Sequence, residues 1–124
     1  MTDFDALDVT TSYDGSLGSG HGRTVTVAGE IDLVTAPRFR SALVEILEAG
    51  NADAVVDLAA VDFIDASGIG VLVWAARMAG DRGGRLTIRN PSQAVRLVLD
   101  LVELDGALEI EPEGKVRTLP NPLP

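Results

Sequence analysis

The sequence contains no cysteine. Disulfide staples, zinc–thiolate centres and cysteine nucleophiles are excluded together, and the lack fits a reducing, cytoplasmic setting. Histidine occurs once, as His21, so a metal site built on imidazoles is excluded too, and no second cluster of ligands accompanies it. Positive charge is scarce. Ten Lys and Arg stand against 19 Asp and Glu, a net charge of −9. Nucleic-acid binding rests on Lys and Arg at phosphates, so no nucleic acid is expected as a partner. An anionic membrane surface would repel the chain. No apolar run approaches the length of a membrane span, so direct membrane insertion is not expected. The acidic start, Met1 to Asp8, lacks the basic and apolar regions of a secretory signal.

The 124 residues are 46% apolar, enough for one domain with a core of its own. Its acidity favours encounter with a basic protein surface. Leu7, Val9, Thr11 and Tyr13 alternate with polar residues, the period of a strand with one wet face. Asp14 to Gly22 reads as a loop, and Arg23 to Ala28 alternates again, closing a hairpin. Gly29-Glu30-Ile31-Asp32 ends that strand. Thr35 is placed to cap a first helix, with Pro37 in its first turn. Ala36, Phe39, Leu43, Ile46 and Leu47 recur at helical spacing. Ala54 to Leu58 reads as a short apolar strand, and Ala59 to Ala66 as a connecting loop anchored by Val61, Phe63 and Ile64. A second helix from about Gly68 to Gly80 is apolar almost all round and should be largely buried, Trp74 included. Arg85 to Arg89 is a strand, and Asn90-Pro91-Ser92 introduces a helix carrying Val95, Val98, Leu99 and Val102. Leu108 to Ile110 is a last short strand.

The order is β-β-α-β-α-β-α-β, the signature of an α/β domain. It predicts a small mixed, mostly parallel sheet with helices packed on it. The domain covers residues 1–110. Residues 111–124, rich in proline and charge, read as a flexible C-terminal tail. In such sheets functional surfaces gather beyond the carboxyl ends of the strands. That brings two loops together, Gly29 to Thr35 and Ala59 to Ser67.

Ser67 stands before the apolar helix, where its side chain could cap a free helical N–H. Gly68 and Gly70 cost the helix stability, and they leave its first turn bare for another molecule to approach. A phosphate on Ser67 would meet the positive end of the helix dipole, so the fold should tolerate it. Its charge would act on whatever docks there, with Asp32 and Asp65 adding repulsion. Asp32 has the placement of a turn or capping residue. Asp57, at a strand end, reads as bonded to a loop amide. Gly18 to Gly22 lacks the ending of a phosphate-binding loop, and Arg82, Arg85 and Arg89 read as scattered surface charges.

The run Val61-Asp62-Phe63-Ile64-Asp65-Ala66-Ser67-Gly68-Ile69-Gly70-Val71-Leu72 resembles the phosphorylation loop of STAS-domain anti-sigma-factor antagonists. The resemblance extends to Gly29-Glu30-Ile31-Asp32, to Thr35-Ala36-Pro37 and to Leu101-Val102-Glu103-Leu104-Asp105, over nearly the whole domain. It implies a bacterial, cytoplasmic regulator of transcription. Its unphosphorylated form would bind an anti-sigma factor that is also a serine kinase and so free the sigma factor. Phosphorylation of Ser67 would block binding, and a phosphatase would reset it. Ser67 matches the phosphorylated position, Asp32 an acidic residue beside it, and Asp65 the loop aspartate. The implied partner surface is Asp32, Asp65, Ala66, Ser67, Gly68 and Ile69. Ala66 departs from the many members that carry a second serine there.

Two other functions fit less well. STAS domains also serve as accessory subunits of membrane transport complexes, where the same loop contacts an ATPase subunit. An enzyme would need a base within reach of Ser67, and the only histidine, His21, sits in the loop between the first two strands. Asp32 and Asp65 could in principle do acid–base work, yet no cofactor motif accompanies them. The expectation is a binding module without cofactor, not an enzyme.

Overall fold

In the computed structural model, residues 7–13, 23–49, 53–101 and 108–111 are described. Strand β1 (Leu7–Tyr13) is followed by β2 (Arg23–Ile31), α1 (Ala36–Glu48), β3 (Asp53–Ile64), α2 (Ala66–Asp81), β4 (Arg85–Arg89), α3 (Gln93–Leu101) and β5 (Glu109–Ile110). The five strands lie in chain order in one sheet. β1 runs antiparallel to β2, with Val9 opposite Val27. The other pairs are parallel, with Val25 beside Val56 and Val56 beside Ile88. This is the mixed, mostly parallel sheet that the alternation predicts.

Helices α1 and α2 pack against each other and against the central strands. Between them and the sheet lies one core. Val25, Val27, Val56, Leu58 and Ile88 face Phe39, Leu43, Ile46, Leu72 and Ala75, all almost fully removed from water. Truncating Phe39 there would cost about 3–5 kcal/mol. α3 lies alongside the second half of β3, beyond the end of β4. Ser92 holds it there, its N–H donating to the Leu58 carbonyl (3.2 Å) and its hydroxyl to the Val61 carbonyl (2.6 Å). The same hydroxyl accepts the Val95 N–H at 3.2 Å, the bond of a helix N-cap.

The segment Ala59 to Ile64, expected as a loop, is strand. β3 slips register twice against β2, between Thr26 and Ala28 and between Gly29 and Glu30. Each slip is a bulge that adds one residue to β3. The buried positions therefore run 54, 56, 58, 61, 64. Gly29 sits at the second slip with φ of 109°, a conformation natural to glycine. Phe63, expected as an anchor, is 46% exposed. α2 starts two residues earlier than expected, and Trp74 is only partly buried, with the Arg40 guanidinium 4.3 Å from its ring centre. Glu111, assigned to the tail, is tied to β4. Its N–H donates to Ile88 and its carboxylate pairs with Arg89 at 3.1 Å. Arg85 pairs with Glu109 at 3.7 Å, and Arg82 donates to the Leu47 carbonyl at 3.2 Å, so Arg82 and Arg85 are exposed charges as expected, each with a partner of its own. The expected loop 14–22, with His21, the stretch 102–107 and the tail from 112 lie outside the described residues. Among the described residues no helix is long and apolar enough to cross a membrane.

Candidate functional site

The carboxyl ends of β2 and β3 carry two turns that meet, as the strand order predicts. The Asp65 N–H donates to the Ile31 carbonyl at 3.1 Å, bridging the two strands where the ladder ends. On the β2 side, the Asp32 carboxylate folds the turn into α1. Its Oδ1 accepts the N–H groups of Val34 (2.9 Å) and Thr35 (3.0 Å). These bonds hold its carboxyl below the ordinary 3.8, the Thr35 N–H contributing most and partial desolvation opposing it. Asp32 is thus the turn residue it was expected to be. Thr35 makes no capping bond to α1. Its hydroxyl donates instead to the Glu30 carbonyl at 2.8 Å and accepts the Asp32 N–H at 2.9 Å. The threonine closes the turn from inside, and it is buried.

On the β3 side the expected cap is displaced by two residues. Asp65, extended at φ −117° and ψ −169°, is the N-cap of α2. Its Oδ1 accepts the Ser67 N–H at 2.8 Å and the Gly68 N–H at 3.4 Å. Ser67 is the second residue of the helix, partly exposed. Two of the helix's free donors are already occupied by the Asp65 carboxylate, so the Ser67 side chain is not needed as a cap. A hydroxyl at this position is held on rigid backbone without being consumed by it.

The two glycines that follow play opposite parts. A Cβ on Gly68 would lie 2.6 Å from Ile31 Cγ2 and 2.7 Å from Ile64 Cγ1. Gly68 lets α2 approach its own sheet, not an outside molecule. A Cβ on Gly70 would meet nothing within 4 Å. Of the six residues assigned to the partner surface, Gly68 and Ile69 are buried and face the core. Ala66 is exposed, and Ser67, Asp65 and Asp32 are partly so.

Sequence reasoning missed three residues beside them. Leu33 is 75% exposed, Val34 79%, and Phe63 46%. Leu33 and Val34 form the outside of the turn that Asp32 folds, and Phe63 pairs with Glu30 across the same end of the sheet. Two large apolar residues in succession, in a turn with no face to bury them, are the signal that could have found them. Together the elements make a polar rim, Asp32 and Asp65, an apolar fringe, and one presented hydroxyl. That is the chemistry of a protein-docking surface.

The fold and site define a small mixed α/β domain of the STAS class. A family model described as "Mlab, STAS domain" matches residues 18–112. The anti-sigma-B factor antagonist of Bacillus subtilis is 34% identical over 91 residues, covering 73% of this chain and 83% of its own. An anti-sigma factor antagonist of Mycobacterium paratuberculosis, solved by crystallography, superposes with a TM-score of 0.73 at 26% identity over 90% of this chain and 91% of that one. The antagonist SpoIIAA in its unphosphorylated form shares the fold, with a TM-score of 0.65 at 19% identity over 87% and 90%. The chain belongs to the STAS-domain anti-sigma-factor antagonist family.

Proposed function

We propose that the chain binds an anti-sigma factor with serine kinase activity through the turn ends of β2 and β3, and that phosphorylation of Ser67 ends the contact. The observation that carries the reading is the position of Ser67, a partly exposed hydroxyl on the first turn of α2, beside the Asp65 carboxylate. A phosphoryl group there adds about −1.5 to −2 charge at pH 7. Since Asp65 already accepts the Ser67 and Gly68 N–H groups, the new charge projects outward, close to a like charge. It burdens the partner, not the fold. The unmodified surface offers Leu33, Val34 and Ala66 for apolar contact, and its acidic rim suits a basic partner.

The kinase transfers the terminal phosphoryl group of ATP to Ser67 Oγ, releasing ADP, and a phosphatase hydrolyses the ester to restore the hydroxyl. The chain itself turns over nothing in this cycle, and it works in the cytoplasm. Incubation of the purified chain with the anti-sigma serine kinase of its own genome and Mg-ATP should add one phosphate, at Ser67, by mass spectrometry. The Ser67→Ala protein should bind that kinase without becoming modified. No phosphate on Ser67, with no complex formed, contradicts the reading. A complex formed instead with the ATPase subunit of a membrane transport complex assigns the same surface to that role.

A further inference from the structure

Beside the Ser67 turn lies an open groove of about 780 Å³ between α1 and α2. Its floor is apolar, from Leu33 in the turn before α1, Pro37 in the first turn of α1, Val44 about two turns on, and Val71 of α2. Val71 lies one helical turn beyond Ser67, on the same face of α2. Leu33 follows Asp32 directly. The groove therefore continues the site without a break. Its far rim carries Glu45 and Glu48, both exposed. The cation on its wall, Arg40, stacks on Trp74.

We infer that this groove is a second half of the docking surface, in which an apolar side chain of the anti-sigma factor is seated while a basic residue on the same segment meets Glu45 and Glu48. The inference rests on the antagonist reading and extends it. Continuity with the Ser67 turn and the charge of the rim select this occupant. A Lys or Arg spaced about one turn from a Leu or Ile on a partner helix reaches both features, since i and i+4 side chains share a face. The groove lies a turn or more from Ser67, so it sets affinity and partner choice while the phosphate sets on or off.

The test uses the purified anti-sigma serine kinase of the same genome and titration calorimetry. Glu45→Lys/Glu48→Lys changes only exposed side chains, and Val44→Arg fills the floor. Each should weaken binding about tenfold or more, the size of a lost interface anchor or charge pair. Circular dichroism should show the wild-type fold for the double variant, which carries the test should Val44→Arg fold poorly. Ser67→Asp, run in parallel, should lose binding through the turn alone. If the double variant binds within about twofold of wild type while Ser67→Asp does not bind, the groove is not part of the interface and the inference is overturned alone. If wild type itself does not bind, the antagonist reading falls and the inference with it.

Discussion

Single residues decide what the first turn of α2 can do. Gly68 and Gly70 look alike in the sequence, where both read as openings for an outside molecule. The structure separates them. Gly68→Ala would press a methyl onto β-branched Ile31 and onto Ile64. Overpacking costs about 1–3 kcal/mol, against a gain in helix propensity of about 1. Urea denaturation should show a net loss. Gly70→Ala meets open space and should gain about 0.5–1 kcal/mol. The reverse order of the two would refute the packing account. Asp65→Ala removes the cap and should cost about 1 kcal/mol. Asp32 sits lower on the pH axis than an unfolded aspartate. Its contribution to stability is therefore complete above its ordinary 3.8 and is lost as pH falls through its folded value. A carboxyl NMR titration should place its midpoint below 3.8, and Asp32→Asn should flatten the acid limb of the thermal profile.

At the scale of elements, the legible parts were those with an unbroken period. The helical spacing of Phe39, Leu43, Ile46 and Leu47 corresponds to one buried face of α1, and the alternation of β1 to a paired strand whose Leu7 is buried and Val9 partly so. β3 was half read because its two bulges change the spacing of buried residues from two to three after Leu58. A strand whose apolar residues fall three apart looks like a loop. The cap of α2 was misassigned for a related reason. Asp65 and Ser67 both favour N-cap positions, and only the end of β3 at Ile64 fixes which comes first. Ser92 takes up two carbonyls of this bulged half of β3, those of Leu58 and Val61. Ser92→Ala should cost about 1–3 kcal/mol, from the lost cap and the unpaired Val61 carbonyl. A thermal melt that stays at the wild-type midpoint would contradict that bridge.

For the molecule as a whole, charge and shape act together. The fold was readable from the order of its elements, and family membership from the run around Ser67. The apolar fringe was not, because burial is a tertiary property. In the sequence Leu33 and Val34 show only as two apolar residues in succession within a turn, and their exposure follows from the way Asp32 folds that turn beneath them. A net charge of −9 should draw a basic partner from a distance. The association rate measured by stopped flow should fall about tenfold or more as salt rises from about 0.05 to 0.5 M, with dissociation changing less. A rate insensitive to salt would remove the electrostatic part of the account.

The most direct measurement takes one preparation of the chain, with and without phosphate on Ser67, and records both its affinity for the anti-sigma factor and its melting temperature. A stable hydroxyl platform that carries charge outward predicts affinity reduced by about a hundredfold or more, near 3 kcal/mol, with a melting curve almost unmoved. Unchanged affinity, or a loss of binding that comes only with a collapse in stability, would contradict it.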